Sequence, residues 1–361
     1  MSTPLLPSLR IGDLDINPPI IQGGMGVRVS RASLAAAVAN QGCAGVIATV
    51  GLGRFEDHPG SQYAHINGEG LRREIRRARS MTSGVLGVNV MVALTDYANL
   101  ARVAAAEDVD LIISGAGLPL DLPSFVTGMP IKLVPIVSSA RALSVICRKW
   151  QRSYQRLPDA VVVEGVKAGG HLGFSFDEAA SGTAPDLDSI LSEVIALANS
   201  FDPPIPVVAA GGIFDGADIA RVLRLGAAGV QMATRFVCTE ECDVDPRFKQ
   251  AYLDARKEDI TIIRSPVGLP GRVINNAFVE RVKRGETVPF KCSYKCLKTC
   301  EPKTVPYCIA KVLVNAAEGN LDEAFAFAGE NAYRIDKIVS VRELVSELAT
   351  EAAAHLREVP A

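Results

Sequence analysis

The sequence predicts an α/β protein: a TIM-type (β/α)₈ barrel carrying an inserted, mainly helical lobe near its C-terminus. Three observations carry that expectation. Eight short β-rich runs alternate with helix-patterned segments, as in a parallel sheet built from βαβ units. Runs such as Val161-Val162-Val163 are apolar without interruption, as strands covered on both faces must be. The alternation then stops at Cys238.

The runs, in order, are 19–22, 45–49, 86–90, 110–114, 132–137, 160–163, 206–210 and 229–233. Between them the spacings predict helices over 33–40, 97–107, 139–150, 187–200 and 217–225, each apolar at helical period. Eight units favour closure into a barrel over an open doubly wound sheet. Residues 1–237 are therefore assigned to the barrel. Residues 238–329 read as a helical, charged and cysteine-bearing lobe beside its mouth, and 330–361 contain an amphipathic helix, 335–355, that would return to cover the barrel.

Composition narrows the function classes. The chain has 361 residues, 48% hydrophobic and 22% charged, with net charge −2, so nothing in it attracts nucleic acid or anionic lipid globally. Arg72, Arg73, Arg76, Arg77 and Arg79 form the densest basic cluster. Their spacing spreads them around a helix, which reads as a solvated face rather than a stripe for an anionic substrate or carrier protein. No apolar run approaches the ~20 residues of a membrane span. Met1 to Arg10 lack the apolar core of a secretory signal, so a cytoplasmic location is expected. Eight cysteines in such a chain do not imply a disulfide framework.

In such a barrel the chemistry belongs just past the C-terminal ends of the strands, and the loops after strands seven and eight commonly cradle a phosphate. Ala210-Gly211-Gly212-Ile213 and Gln231-Met232-Ala233-Thr234-Arg235 occupy those two places, each leading into a helix. The first strand ends in Gln22-Gly23-Gly24-Met25-Gly26, where small residues let a flat ring lie against the backbone. The sixth ends in Glu164-Gly165-Val166-Lys167-Ala168-Gly169-Gly170-His171, placing a glycine-flanked histidine at the mouth, where it can serve as general acid or base. His58, His65 and His355 are expected in loops or the tail, exposed to solvent. No metal-ligand spacing links the histidines and carboxylates. Cys292, Cys296, Cys300 and Cys308 could in principle hold zinc or an iron–sulfur cluster, the first three sharing a face if helical. Reduced structural thiols are the default, and no metal is assigned.

Taken together, Gln-Gly-Gly-Met-Gly, Ala-Gly-Gly-His-x-Gly, Ala-Ala-Gly-Gly-Ile and Gly-Val-Gln-Met-x-Thr-Arg-Phe resemble the nitronate monooxygenase family, formerly 2-nitropropane dioxygenases, which includes flavin-dependent enoyl-acyl-carrier-protein reductases. The likeness resumes at Ser265-Pro266-Val267-Gly268-Leu269-Pro270-Gly271-Arg272. The resemblance implies FMN as cofactor. Gly23, Gly24 and Met25 would line its isoalloxazine, Asn89 would bond the ring's polar edge and Lys132 would stand near N1–C2. Glu164 and Gly169 would meet the ring, Gly211, Gly212, Gln231, Met232, Ala233 and Thr234 would form the phosphate cradle, and His171 would be the active-site histidine. Two departures from the family pattern are Lys167, where many relatives have Glu, and Ala233, which replaces a frequent Gly and need only tolerate negative φ.

Three functions remain open at this point. One is a nitronate monooxygenase-like oxidase using O₂. Another is an NAD(P)H-dependent flavin reductase of enoyl thioesters or quinones. The third is a flavin-free isomerase or lyase acting on a phosphorylated metabolite. The expected partners are a small-molecule or thioester substrate and, in the second reading, NAD(P)H. A homodimer is compatible with these features.

Overall fold

The structure is a computed structural model that describes residues 6–53, 62–292 and 295–357; His58 lies outside the described residues. The chain opens with a hairpin of β1 (Leu9–Ile11) and β2 (Leu14–Ile16). The eight barrel strands include β3 (Ile20–Gln22), β4 (Gly45–Ala48), β5 (Leu86–Met91), β6 (Leu111–Gly115), β7 (Lys132–Val137) and β8 (Val161–Glu164). A two-residue strand, β9 (Gly170–His171), follows outside the barrel, and β10 (Val207–Ala210) and β11 (Gly229–Met232) complete it. Each expected run falls within a residue or so of an observed strand.

All neighbours pair in parallel, in the order β3-β11-β10-β8-β7-β6-β5-β4. The seam between β3 and β4 is closed by a parallel bridge between Ile21 and Ala44, with Gln22 N–H donating to Ala44 O at 2.9 Å and Ala44 N–H to Ile20 O at 3.0 Å. The buried Gln22 side chain reinforces the seam, accepting from Val46 N–H at 3.0 Å and donating to Ser30 Oγ at 2.9 Å. An open sheet is thereby excluded.

Alternation along the strands separates two cores. Inward residues such as Ile21, Val46, Ile113, Val134, Val162 and Val208 pack together with Leu9, Ile11 and Ile16 of the hairpin, which plugs the barrel's N-terminal end. Outward residues such as Val161, Val163 and Ala209 join the helices in the larger shell. Helix Tyr63–Arg79 carries the arginine cluster, and these guanidiniums are engaged locally. Arg72 and Arg76 bind Glu107, Arg73 binds Leu52 O, Arg77 binds Ser33 and Arg79 binds Asp110. His65 is exposed but lies on this helix, not in a loop.

After β11 the chain leaves the barrel. The lobe contains helices Pro246–Asp254, Ala277–Lys283 and Ile309–Ala317, and it adds a hairpin the sequence pattern did not suggest, β12 (Ile260–Arg264) with β13 (Pro270–Ile274). The β-branched runs Ile-Thr-Ile-Ile and Val-Ile supply the strand preference, and β13 then pairs antiparallel with β9. The last helix is Val341–Arg357. It begins six residues later than the apolar pattern suggested, carries His355 half-buried on the helix rather than exposed in a tail, and lies against helix Gly216–Arg224, where Gly216 N–H donates to Glu351 at 3.1 Å. Gly216 lets the two helices meet, since a Cβ there would stand 2.2 Å from that of Glu351.

Candidate active site

A cavity opens at the C-terminal ends of the barrel strands, and its two sides differ in chemistry. The barrel side is formed by Gly23, Gly24 and Met25 after β3, Asn89 of β5, Ala116 after β6, Ile136 of β7, Glu164 of β8, and Gln231, Ala233 and Thr234 from the end of β11. Phe248, Tyr252, Leu313 and Phe327 come from the lobe. The tail of the β8 excursion, Gly169 to His171, runs between the two.

The barrel side fits a flat, hydrogen-bonding group. Gly24 leaves no room for any other residue, because a Cβ there would stand 2.4 Å from Asn89 Cβ. Gln231 Oε1 is buried without a hydrogen-bond partner at the cavity wall, an acceptor whose desolvation is uncompensated until something donates to it. Glu164 is pushed up to about 7 by burial, so near neutral pH it is divided between its protonated and charged forms.

His171 sits where the lobe clamps the barrel. In β9 it pairs with Gly271 of β13, and the buried Arg272 holds the loop before it by donating to Val166 O at 3.0 Å and Ala168 O at 3.2 Å. The imidazole Nε2 lies 2.8 Å from Ser265 Oγ, and the ring packs edge-on against Phe327 with centroids 4.9 Å apart. Burial depresses its pKa to about 4, so the ring is neutral at physiological pH.

Gly23, Gly24, Met25, Asn89, Glu164, Gly169, His171, Gln231, Ala233 and Thr234 are thus brought to one cavity. The others expected at the cofactor are placed elsewhere. Lys132 is the first residue of β7, at the plugged end of the barrel, where its Nζ pairs with Asp13 of the β1–β2 turn at 2.5 Å. A residue at the start of a strand cannot reach the mouth at the other end, so the expected cation beside the flavin is corrected. Gly211 and Gly212, both at φ +89°, make the tight turn after β10 without lining the cavity; Asn331 donates to Gly212 O at 2.8 Å. Met232 is buried, and only its carbonyl reaches the first loop, accepting from Gly23 N–H at 2.7 Å. Ala233 has φ −126°, a conformation open to alanine. Lys167 pairs at the surface with Glu330 at 3.5 Å.

All eight cysteines are free thiols. The described residues 292 and 295–300 are not helical, so the first three cysteines of the late group do not share a helix face, and Cys308 precedes helix Ile309–Ala317. Among the described residues no group of three or more His, Cys, Asp or Glu stands where it could hold a metal ion. No described helix is long and apolar enough to cross a membrane.

A sequence profile described as nitronate monooxygenase matches residues 8–112 and 92–351, nearly the whole chain. The chain belongs to the nitronate monooxygenase family. Among its curated relatives is a (3aS,4S,5R,7aS)-5-hydroxy-7a-methyl-1-oxo-octahydro-1H-indene-4-carboxyl-CoA dehydrogenase of Rhodococcus jostii, 29% identical over 268 residues, covering 74% of this chain and 65% of that protein's length. A probable nitronate monooxygenase of Staphylococcus saprophyticus is 29% identical over 303 residues, covering 75% of this chain and 79% of the relative. Among solved structures, FabK from Thermotoga maritima superposes with TM-score 0.74 at 27% identity, covering 94% of each chain. A nitroalkane oxidase from Streptomyces ansochromogenes shares the fold, with TM-score 0.72 at 24% identity over 93% of this chain and 96% of that one.

Within this family member, sequence reasoning missed Phe248, Tyr252, Leu313 and Phe327, and gave Ser265 no role. Ser265 was visible only as part of a motif. The four apolar residues carry no local signal, because only the folding of the lobe over the barrel makes them neighbours of the glycine loops.

Proposed function

We propose that this chain is an FMN-dependent oxidoreductase that oxidises nitroalkanes, through their nitronates, with O₂. One observation carries the reading: a neutral imidazole, His171, shares a cavity with a polar, glycine-floored wall that has an unsatisfied acceptor in Gln231. Gly23, Gly24 and Met25 would support the ring, and Asn89, Gln231 and Glu164 would meet its polar edge. Thr234, with the glycine turn 211–212 after the neighbouring strand β10, would face the phosphate. When bound, FMN supplies acceptance of the substrate's electrons and their delivery to O₂.

The chain's own contribution is proton handling and exclusion of water. His171 is neutral and takes the α-proton from the carbon bearing the nitro group. The C–H bond breaks, its electron pair moves into the nitronate, and the imidazolium formed stays beside that anion. Phe327 and the other lobe residues keep the site dry, which strengthens this charge pair.

A second reading, an NAD(P)H-dependent reductase of enoyl thioesters or quinones, is favoured by the Rhodococcus relative, whose name specifies a CoA thioester. It needs His171 to start as the imidazolium, which burial disfavours before substrate binds, whereas in the oxidase reading the imidazolium forms only beside the nitronate, whose charge offsets that cost. Anaerobic mixing separates the readings. Bleaching of flavin by a nitronate and not by NADH or NADPH is expected, whereas bleaching by a nicotinamide alone rejects the oxidase reading. A protein that stays colourless after FMN reconstitution returns the flavin-free isomerase or lyase to first place.

A further inference from the structure

We infer that the lobe side of the cavity selects substrates whose body, beyond the reacting carbon, is an uncharged apolar chain, and that it discriminates against substrates bearing a second anionic group. The inference rests on the proposed reaction for its assay but on the lining for its argument. Helix Pro246–Asp254 starts with proline at its first turn and with Asp245 as N-cap, accepting from Arg247 N–H at 2.9 Å. That start sets the helix so that Phe248 and Tyr252, four residues apart, share the face turned to the cavity. The Tyr252 hydroxyl donates to Phe327 O, so what remains for a ligand is the ring. Leu313 of helix Ile309–Ala317 and Val27 and Val29 of the loop after β3 extend the same apolar surface.

Among the described residues no lysine or arginine lines this cavity. The alternation Val27-Arg28-Val29 sends the valines toward it and Arg28 to a separate cavity shared with Arg31 and Arg73. There Arg28 donates to Gly51 O at 2.8 Å and Gly53 O at 2.7 Å, and Arg31 pairs with Glu74 at 2.7 Å. The polar side chains Asn89, Glu164, Gln231 and Thr234 all stand on the barrel side. A distal carboxylate lying along Phe248, Tyr252 and Leu313 would therefore be desolvated without a cation or donor to compensate it, whereas each buried methylene gains from leaving water.

The test uses the FMN-loaded enzyme and the nitronates of nitroethane, 1-nitropropane, 1-nitrobutane and 1-nitrohexane, set against propionate 3-nitronate. Expected is a rise in kcat/KM of roughly three- to fourfold per added methylene. Propionate 3-nitronate should lie at least about tenfold below the nitronate of 1-nitrobutane. The variant Leu313→Arg should narrow or reverse that gap. A flat chain-length series, or a preference for the carboxylate, overturns the inference. If no nitronate is turned over, the proposed reaction fails, and binding decides separately. Perturbation of the flavin spectrum should give hexanamide an affinity at least about tenfold tighter than its ω-carboxylate analogue, and equal affinities would overturn the inference whatever the reaction.

Discussion

Ser265 Oγ and His171 Nε2 stand 2.8 Å apart, although 94 residues separate them in the chain. Ser265 belongs to the turn between β12 and β13 and is pinned there: its Oγ accepts from Val267 N–H at 3.3 Å, and its own N–H donates to Leu269 O at 3.1 Å. The lobe thus holds one nitrogen of the imidazole, with the hydroxyl able to donate to it or accept from it, and so orients the ring. Ser265→Ala should lower kcat by roughly tenfold with little change in KM, since a general base loses its orientation while the pocket keeps its shape. Nitrogen-15 chemical shifts of the His171 ring should change as Nε2 loses its partner and the balance of tautomers shifts. A variant with an unchanged tautomer and rate would remove Ser265 from this role.

His171→Ala should keep its flavin and lose about 10²- to 10⁴-fold in turnover of neutral nitroalkanes, where a proton must be removed. Preformed nitronates need no such step, so their oxidation should fall far less. Equal losses on both substrates would argue that the imidazole serves binding instead.

The barrel was legible in the sequence because each of its strands is local: Val161 to Val163 announces burial on both faces, and the glycines of 22–26 and 169–173 announce a close backbone approach. The positions of side chains along a strand were less legible. Lys132 opens β7 and so lies at the plugged end of the barrel, and its partner Asp13 sits in a hairpin that no periodicity marked. The lobe was hardest to read. Its hairpin has β-branched runs but lies between helical segments, and β13 is ordered by pairing with β9, a contact about 100 residues distant that local propensity cannot express.

Gly24→Ala tests the barrel floor. The added Cβ would meet Asn89 Cβ at 2.4 Å and force that side chain from the cavity wall. Since Gly24 is at the mouth and not in the barrel core, the expected result is a folded protein with a melting temperature within a few degrees of the parent and FMN affinity weakened by at least about tenfold. Retained affinity would show that Asn89 and the glycine floor do not contact the cofactor.

The depressed pKa of His171 makes a prediction about stability. In the unfolded chain the ring takes up a proton below its ordinary value of 6.5, while in the flavin-stripped folded protein it resists until about pH 4. Between those values the unfolded state binds more protons, so stability falls as pH falls through the window and is unaffected by this group above it. Across the whole window the loss amounts to roughly 3 kcal/mol. Denaturant midpoints of the parent and His171→Gln, compared at pH 7.5 and pH 5, should therefore diverge, the parent losing more on acidification. Parallel losses would place the ring in a more hydrated setting.

Glu164 shifts the other way, and it ties cofactor binding to pH. Burial raises its carboxyl to about 7, so in the empty cavity it passes from neutral to charged near physiological pH. A flat ring laid over it would dehydrate it further and raise the value again. Binding FMN would then draw in a proton, and affinity should weaken as pH rises from 6 to 8, by up to about tenfold per unit between about 7 and the higher value in the complex. Glu164→Gln keeps a hydrogen-bond donor that never ionises. Its dissociation constant, read by quenching of flavin fluorescence, should match that of the parent at pH 6 and change less on going to pH 8. The FMN phosphate titrates in the same range in both proteins, so the difference between the two slopes isolates the carboxyl. Identical slopes would mean that Glu164 does not meet the cofactor.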